Sequence, residues 1–270
     1  MLYNVVECIQ IRPDFIYTVY RKVRKMPKFF IDDPTKYSEN DYIDISGADA
    51  HHISHTLRMK IGETVIVTSS DLREYETEIA DFTSDTVRLK VLNVAQNNTE
   101  PPVKASLFQA LTKGDKMDTV IQKAVELGVY EIYPVECDRC VVKIDEKKGD
   151  KKQERWNRIA FEAAKQCGRG IIPKVHPIIK FDAALPLMKE SDISFICYET
   201  SENNNPKNLF RNNSFKSVSF FIGPEGGISP LEIEKAHREG IEDITLGKLI
   251  LRTETASGAV LSMLLYETQF

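Results

Sequence analysis

The sequence predicts an α/β protein, with a C-terminal α/β domain built on a mainly parallel sheet and a smaller β-rich domain in front of it. Three observations carry that expectation. Short runs of alternating polar and apolar residues fill 28–94, strand-like and helix-like runs alternate from 105 onward, and a polar, proline-ended segment separates the two textures.

In the first part the strand candidates are Phe29–Asp32, Tyr42–Ile45, Thr64–Thr68, Glu74–Phe82 and Thr86–Val94, a spacing that suggests a small antiparallel barrel or sheet. One helix is expected over Asp49–Met59, where Ile53 and Leu57 share a face at i, i+4. The segment Gln96-Asn97-Asn98-Thr99-Glu100-Pro101-Pro102 can continue neither a helix nor a central strand, so it marks the boundary between domains at 26–98 and 103–270. Met26-Pro27-Lys28 reads like a natural start, and residues 1–25 are read as an extension without an assigned role.

Past the boundary, Ala105–Ala110 reads as a strand, Asp118–Leu127 as a helix stopped by Gly128, and Glu131–Val135 as the next strand. A longer helix is expected over Glu154–Gln166 with Gly168 as its stop, and Trp156 belongs on its core face. Ile193–Tyr198, Val218–Ile222 and Asp243–Leu246 complete a set of short apolar strands, while Asn203–Asn213 reads as a polar loop. Parallel strands buried on both faces place ligand sites at their C-terminal ends.

With 42% hydrophobic and 28% charged residues the chain has ordinary globular usage, and its net charge of −4 excludes a general polyanion binder. The charge is lopsided, however. Arg139–Lys174 holds eleven Lys or Arg against five acids, and Glu225–Asp243 holds six acids against two bases. Such a basic run is either a solvated face or a local nucleic-acid surface. Five scattered cysteines (Cys8, Cys137, Cys140, Cys167, Cys197) fit a reduced compartment. Cys137 and Cys140 form a lone CxxC with no second pair to complete a zinc site, so no metal is expected. No run of about 18 apolar residues occurs, so no membrane-spanning helix is expected.

Two segments carry the strongest chemical pattern. Phe220-Phe221-Ile222 empties into Gly223-Pro224-Glu225-Gly226-Gly227, followed by Ser229-Pro230-Leu231-Glu232, a capping box with proline at the first helical position. This strand, tight turn and helix suit either a plain turn or a ligand site, and the Lys-Ser/Thr ending of a phosphate loop is missing. The second is Leu246-Gly247-Lys248-Leu249-Ile250-Leu251-Arg252-Thr253-Glu254-Thr255-Ala256, which leads into a small, apolar helix over Ala256–Tyr266. Lys113-Gly114-Asp115-Lys116-Met117-Asp118 and Gln166-Cys167-Gly168-Arg169 lie at helix ends, where capping competes with ligand contact, and Arg169 is expected to project from a loop. His51 and His52 have no recognisable nucleophile and are expected to be solvated or hydrogen-bonded.

Taken together, five stretches resemble the bacterial family of small-subunit ribosomal RNA methyltransferases that methylate N3 of a uridine, members of the trefoil-knotted SPOUT class. They are Phe29-Phe30 with His51-His52 to Arg58, Gln109-Ala110-Leu111 through Lys113–Asp118 to Gln122-Lys123, Arg155-Trp156 to Gly168-Arg169, Ile222–Gly227, and Leu246–Ala256. The resemblance implies a PUA-like barrel for RNA, a SPOUT-type domain with a knotted cofactor site, a homodimer, a cytoplasmic location, and 16S ribosomal RNA or the small subunit as partner. Residue by residue it assigns S-adenosylmethionine to Tyr198, Glu199, Ile222, Gly223, Pro224, Glu225, Gly226, Leu246, Gly247, Leu251, Arg252, Thr253, Glu254 and Thr255. It implies catalytic roles for Arg252 and Glu254 and RNA contacts for Lys113, Lys116, Arg139, Lys143, Arg155 and Arg169. The chain departs from the family at Cys137-Asp138-Arg139-Cys140, where relatives usually carry Ser-Glu-Arg-Ser, and at Cys167, where Ser is common. The alternative reading is a non-catalytic RNA-binding assembly factor.

Overall fold

The protein was analysed as a computed structural model, which describes residues 26–33, 35–142, 146–199, 201, 206–211 and 214–269. The extension over 1–25, Cys8 and Lys143 lie outside the described residues. The chain divides into two compact units that meet at Gln96/Asn97, inside the expected boundary segment.

The N-terminal unit is a five-stranded sheet of β1 (Lys28–Ile31), β2 (Tyr42–Ser46), β3 (Thr64–Ser69), β4 (Arg73–Phe82) and β5 (Thr86–Gln96), in the order β1-β3-β4-β5-β2. Strict alternation along β4 sends Tyr75, Thr77 and Ile79 inward, where they meet Val65, Val67, Leu89 and Val91. The pairings are antiparallel as expected except one, since β1 runs parallel to β3. The expected helix breaks into α1 (Gly47–His51) and a π turn over His52–Thr56, ending before Met59. Ile53 is fully buried but Leu57 is exposed, so the shared face covers one turn only. His51 is exposed and its ring stacks on His55 at 4.4 Å, while His52 meets Phe29 edge-on.

The C-terminal unit carries β6 (Lys104–Ala110), β7 (Glu131–Glu136), β8 (Lys174–Val175), β9 (Ile179–Lys180), β10 (Ile193–Cys197), β11 (Ser217–Ile222) and β12 (Glu242–Ile244). Their order is β12-β10-β11-β6-β7-β8 with β9 also on β7, and every pair is parallel. β6 and β11 are buried along nearly their whole length, as strands covered on both faces must be. The helices are α2 (Lys116–Glu126), α3 (Glu146–Cys167), α4 (Phe181–Met188), α5 (Pro206–Arg211), α6 (Pro230–Arg238) and α7 (Thr253–Gln269).

α2 buries Met117, Val120, Ile121, Ala124 and Val125, a helical stripe that packs on α3 and α7. Gly128 ends it at φ +83°, and a Cβ there would come within 2.5 Å of Pro101. α3 starts two turns earlier than expected, because its first residues are Lys-rich and carry no apolar stripe to read. The expected polar loop near Asn203–Asn213 contains α5, which buries Pro206 and Phe210. Trp156 is buried, as expected. No helix among the described residues is long and apolar enough to cross a membrane.

Candidate active site

The chain runs from β6 outward to β7, β8 and β9, then returns to build β10, β11 and β12 on the other side of β6. The strand order therefore reverses between β6 and β11. A crevice opens at such a point, outside the carboxyl ends of the strands. Here those ends deliver Gln109 from β6, Tyr198 after β10, Gly223 after β11 and Thr245 after β12.

A cleft of about 440 Å³ occupies this edge. The glycine turn forms one wall with Ile222, Gly223, Pro224 and Glu225, and the 245–251 loop forms the opposite wall with Leu246, Gly247 and Leu251. Tyr198 and Glu199 supply the third. Arg252 and Thr253 also line it, whereas the expected Gly226, Glu254 and Thr255 do not. Sequence reasoning missed Cys197, Ile228 and Thr245 and had placed Lys116 with the RNA, although all four line the cleft. Leu249 and Ile250 at its rim are 81% and 84% exposed.

The glycine turn is tight for identifiable reasons. A Cβ on Gly223 would stand 2.7 Å from Ile228, and one on Gly226 would stand 3.3 Å from both Cβ and the carbonyl oxygen of Arg139. The turn then feeds α6, whose capping box is complete. Ser229 Oγ accepts the Glu232 N–H, and Glu232 accepts the Ser229 N–H at 3.0 Å. Glu232, buried, also accepts the Asp138 N–H at 2.9 Å, and Ser229 Oγ donates to Asp138. These bonds dock the Cys137–Cys140 loop on the start of α6. Both thiols are buried, and their mutual hydrogen bond together with burial pushes the Cys137 thiol up.

Thr253 joins the two walls. Its buried hydroxyl donates to the Gly223 carbonyl at 2.8 Å and accepts from Gln109 Nε2 at 2.8 Å. Three separate segments, at 109, 223 and 253, thus meet on one oxygen. Gln109 is fully buried, and its second polar atom, Oε1, has no partner.

Charge is concentrated on one side. Lys116 Nζ donates to Glu225 Oε1 at 2.9 Å and lies 4.0 Å from Glu254 Oε2. Burial alone pushes the Glu225 carboxyl up, but the hydrogen bonds from Lys116 Nζ, its own backbone and the Lys113 N–H outweigh it and hold the group below the ordinary carboxylate value. Glu254 Oε2 is buried without a hydrogen bond. Arg252 is exposed, and no described residue pairs with its guanidinium.

The expected RNA-facing cations separate into groups. Lys113 is exposed and its ammonium is unpaired among the described residues, whereas Arg155 pairs with Asp118 and lies 3.6 Å from Asp115. Arg139 is exposed and donates to the Gly226 carbonyl at 3.1 Å, which sets it against the glycine turn. Arg169 corrects the expectation that it projects from a loop. It is 4% exposed, grips Glu100 with Nε and Nη2, and donates to the Val125 carbonyl at 2.9 Å. A guanidinium so enclosed holds the 99–101 segment against the end of α3, helped by the Thr99 hydroxyl on the Gly168 carbonyl, and its burial leaves little of it open to a phosphate.

The chain is similar to known proteins over nearly all of its length. A family model described as an RNA methyltransferase domain matches residues 99–265. Ribosomal RNA small subunit methyltransferase E of Bacillus subtilis is 35% identical over 250 residues, 90% of this chain and 98% of the relative. The protein of that name from Mesomycoplasma hyopneumoniae is 32% identical over 241 residues, covering 86% and 96%. Among solved structures, ribosomal RNA small subunit methyltransferase E from Neisseria gonorrhoeae, bound to S-adenosyl methionine, superposes with a TM-score of 0.79 at 30% identity, covering 89% of this chain and 97% of that one. A Legionella pneumophila protein in complex with the cofactor SAM gives 0.78 at 32% identity, again covering 89% and 97%. An RNA methyltransferase domain that fills most of the C-terminal unit, and near full-length likeness to these relatives, make the chain a member of the ribosomal RNA small subunit methyltransferase E family.

Proposed function

We propose that the chain is an S-adenosylmethionine-dependent methyltransferase that methylates N3 of a uridine in 16S ribosomal RNA, working as a cytoplasmic homodimer. The observation that carries this reading is the convergence of the Gly223–Gly227 turn and the 245–252 loop on one cleft, stapled by Thr253. The cleft suits the cofactor chemically. Ile222, Leu246 and Leu251 offer apolar surface to a purine, and Glu199 and Glu225 face a ligand whose net charge is positive. At Gly223 Ile228 lies too close for a Cβ without a shift, and at Gly226 a Cβ would be tight against Arg139.

When bound, S-adenosylmethionine supplies a methyl already activated on a sulfonium sulfur. The protein's task is then to hold the uracil in line, exclude water and manage one proton. Arg252, unpaired at the rim, stabilises charge developing on a uracil carbonyl oxygen, and the carboxylate of Glu254, beside Lys116, takes the N3 proton. Because N3 lies on the pairing edge, the base enters unpaired or flipped.

The N-terminal unit is a PUA-like RNA-binding domain and the C-terminal unit a SPOUT-type domain with a trefoil knot, in which the 245–252 loop and α7 are the threaded part. Leu249 and Ile250, apolar and exposed at the cleft rim, support cover by a second copy. Lys113 and Arg139 contact RNA phosphates beside the cleft. Titration calorimetry with S-adenosylmethionine tests the reading, because a non-catalytic assembly factor would bind RNA and give no heat with the methyl donor.

A further inference from the structure

Buried polar atoms without hydrogen-bond partners occur in both units. In residues 97–270 the described ones are Gln109 Oε1, Thr112 Oγ1 and Glu254 Oε2. Gln109 and Thr112 sit at or just past the C-terminal end of β6, and Thr253 bonds Gln109 next to Glu254 in sequence. None of the three residues lines the cleft, so these atoms belong to the wall behind it, and the groups that can meet a ligand are the charged side chains in front. Lys116 stands beside this cluster. Its ammonium reaches Glu225 at 2.9 Å and Glu254 at 4.0 Å, and its side chain is 36% exposed at the cleft. A partly exposed Lys–Glu pair contributes little to stability, so stability gives little reason for a lysine here.

Resting on the function proposed above, we infer that Lys116 is a specificity-determining catalytic residue: together with Glu254 and Arg252 it reads the uracil pairing edge. That edge runs acceptor, donor, acceptor through O4, N3–H and O2. The protein offers complementary groups: the Lys116 ammonium and the Arg252 guanidinium line the cleft as donors, and the Glu254 carboxylate, 4.0 Å from Lys116, is the acceptor. Lys116 donates to one uracil carbonyl and Arg252 to the other. The N3–H proton passes to Glu254, the N3 lone pair forms the bond to the methyl carbon, and the electron pair of the breaking C–S bond stays on sulfur. The charge left on the ring during transfer spreads onto O2 and O4, where the two cations wait. Cytosine presents a lone pair at N3 and an amine at position 4, so it sets a lone pair against the Glu254 carboxylate and a donor against a cation. A site built this way rejects the wrong base strongly, since both partners are left unpaired. Lys116 thus contacts the base rather than the phosphate backbone.

The test uses full-length protein, S-adenosylmethionine and small subunits lacking the modification, with wild type, Lys116→Met and Lys116→Arg. Lys116→Met is expected to lower the transfer rate at saturating subunits by ~100-fold or more. Its KM for subunits, the salt dependence of that KM and its affinity for S-adenosylmethionine should stay close to wild type. Rising pH, which ionises N3 without help, should recover part of the rate, and Lys116→Arg should retain most of it. As a readout apart from activity, protein loaded with S-adenosylhomocysteine should bind uridine 5′-monophosphate in preference to cytidine 5′-monophosphate, and Lys116→Met should lose the preference. A saturated rate near wild type, a changed salt slope instead of a changed rate, an equal loss of cofactor affinity, or no preference between the two nucleotides in wild type would each overturn the assignment. Wild type that neither binds S-adenosylmethionine nor transfers a methyl would overturn the underlying function, a result distinct from active wild type with an unimpaired variant.

Discussion

Replacing Thr253 with Val keeps the side-chain shape and deletes the one oxygen on which the segments at 109, 223 and 253 meet. Gln109 Nε2, in a fully buried residue, keeps only its 3.2 Å bond to the Ala110 carbonyl. The half-buried Gly223 carbonyl loses its donor but can be reached by water. Charging about 1–3 kcal/mol for a buried group left short of a partner, with a smaller loss at Gly223, gives a destabilisation of about 2–3 kcal/mol. For a unit of this size that corresponds to a fall in Tm of roughly 4–12 °C. Trp156 is the sole tryptophan and is buried in α3, so its fluorescence follows the C-terminal unit alone through a urea titration. The same variant should bind S-adenosylmethionine more weakly, because the two walls are no longer stapled. Thr253→Ser keeps the hydroxyl and should stay within about 1 kcal/mol of wild type, and Gln109→Leu combined with Thr253→Val should lose less than the sum of the single changes, since both partners are then apolar. A Thr253→Val midpoint within about 0.5 kcal/mol of wild type, or strictly additive losses in the pair, would refute the reasoning.

Other expectations follow from the same contacts. Arg169→Ala removes the cation from Glu100, leaving it only the Gly170 and Ile171 N–H groups, and takes the donor from the Val125 carbonyl, so it should destabilise the C-terminal unit by about 3 kcal/mol in the tryptophan-monitored titration and leave the salt slope of RNA binding unchanged. Arg139→Ala should do the reverse, reducing the slope of log affinity against log salt by about 1, as measured by RNA titration at several salt concentrations. Glu225 titrates below its unfolded value, so its contribution to stability is fully present above the ordinary carboxylate value and is lost as pH falls through the depressed one. The difference in Tm between wild type and Glu225→Gln, measured without ligand, should therefore be constant near neutrality and close on acidification; a gap that widened in acid would contradict the sign.

Much of this architecture is legible in the chain, because period-2 and period-3.6 patterns are set by local burial. β4 shows it in Tyr75, Thr77 and Ile79, and α2 in Val120, Ile121 and Ala124. Elements without an apolar stripe escaped, such as the Lys-rich start of α3 and the six-residue α5. The parallel pairing of β1 with β3 escaped too, since alternation along a strand does not encode its partner. Among site residues, the glycine turn announced itself through Gly223, Gly226 and Gly227 next to a capping box. Cys197 and Ile228 look like plain core residues and line the cleft only through the sheet order. Arg169 was misread because its partner Glu100 lies 69 residues away, and the Lys116–Glu225 pair spans 109 residues. A sequence names the charges, but only the fold decides which of them meet.

The most direct measurement is mass-spectrometric mapping of 16S ribosomal RNA after incubating purified protein and S-adenosylmethionine with small subunits lacking the modification. Wild type should add a single methyl to N3 of one uridine, and Arg252→Ala, still folded by the Trp156 readout, should slow that transfer by ~100-fold or more. No methylated uridine with wild-type protein, a methyl on another atom or base, or undiminished transfer by Arg252→Ala would contradict the account.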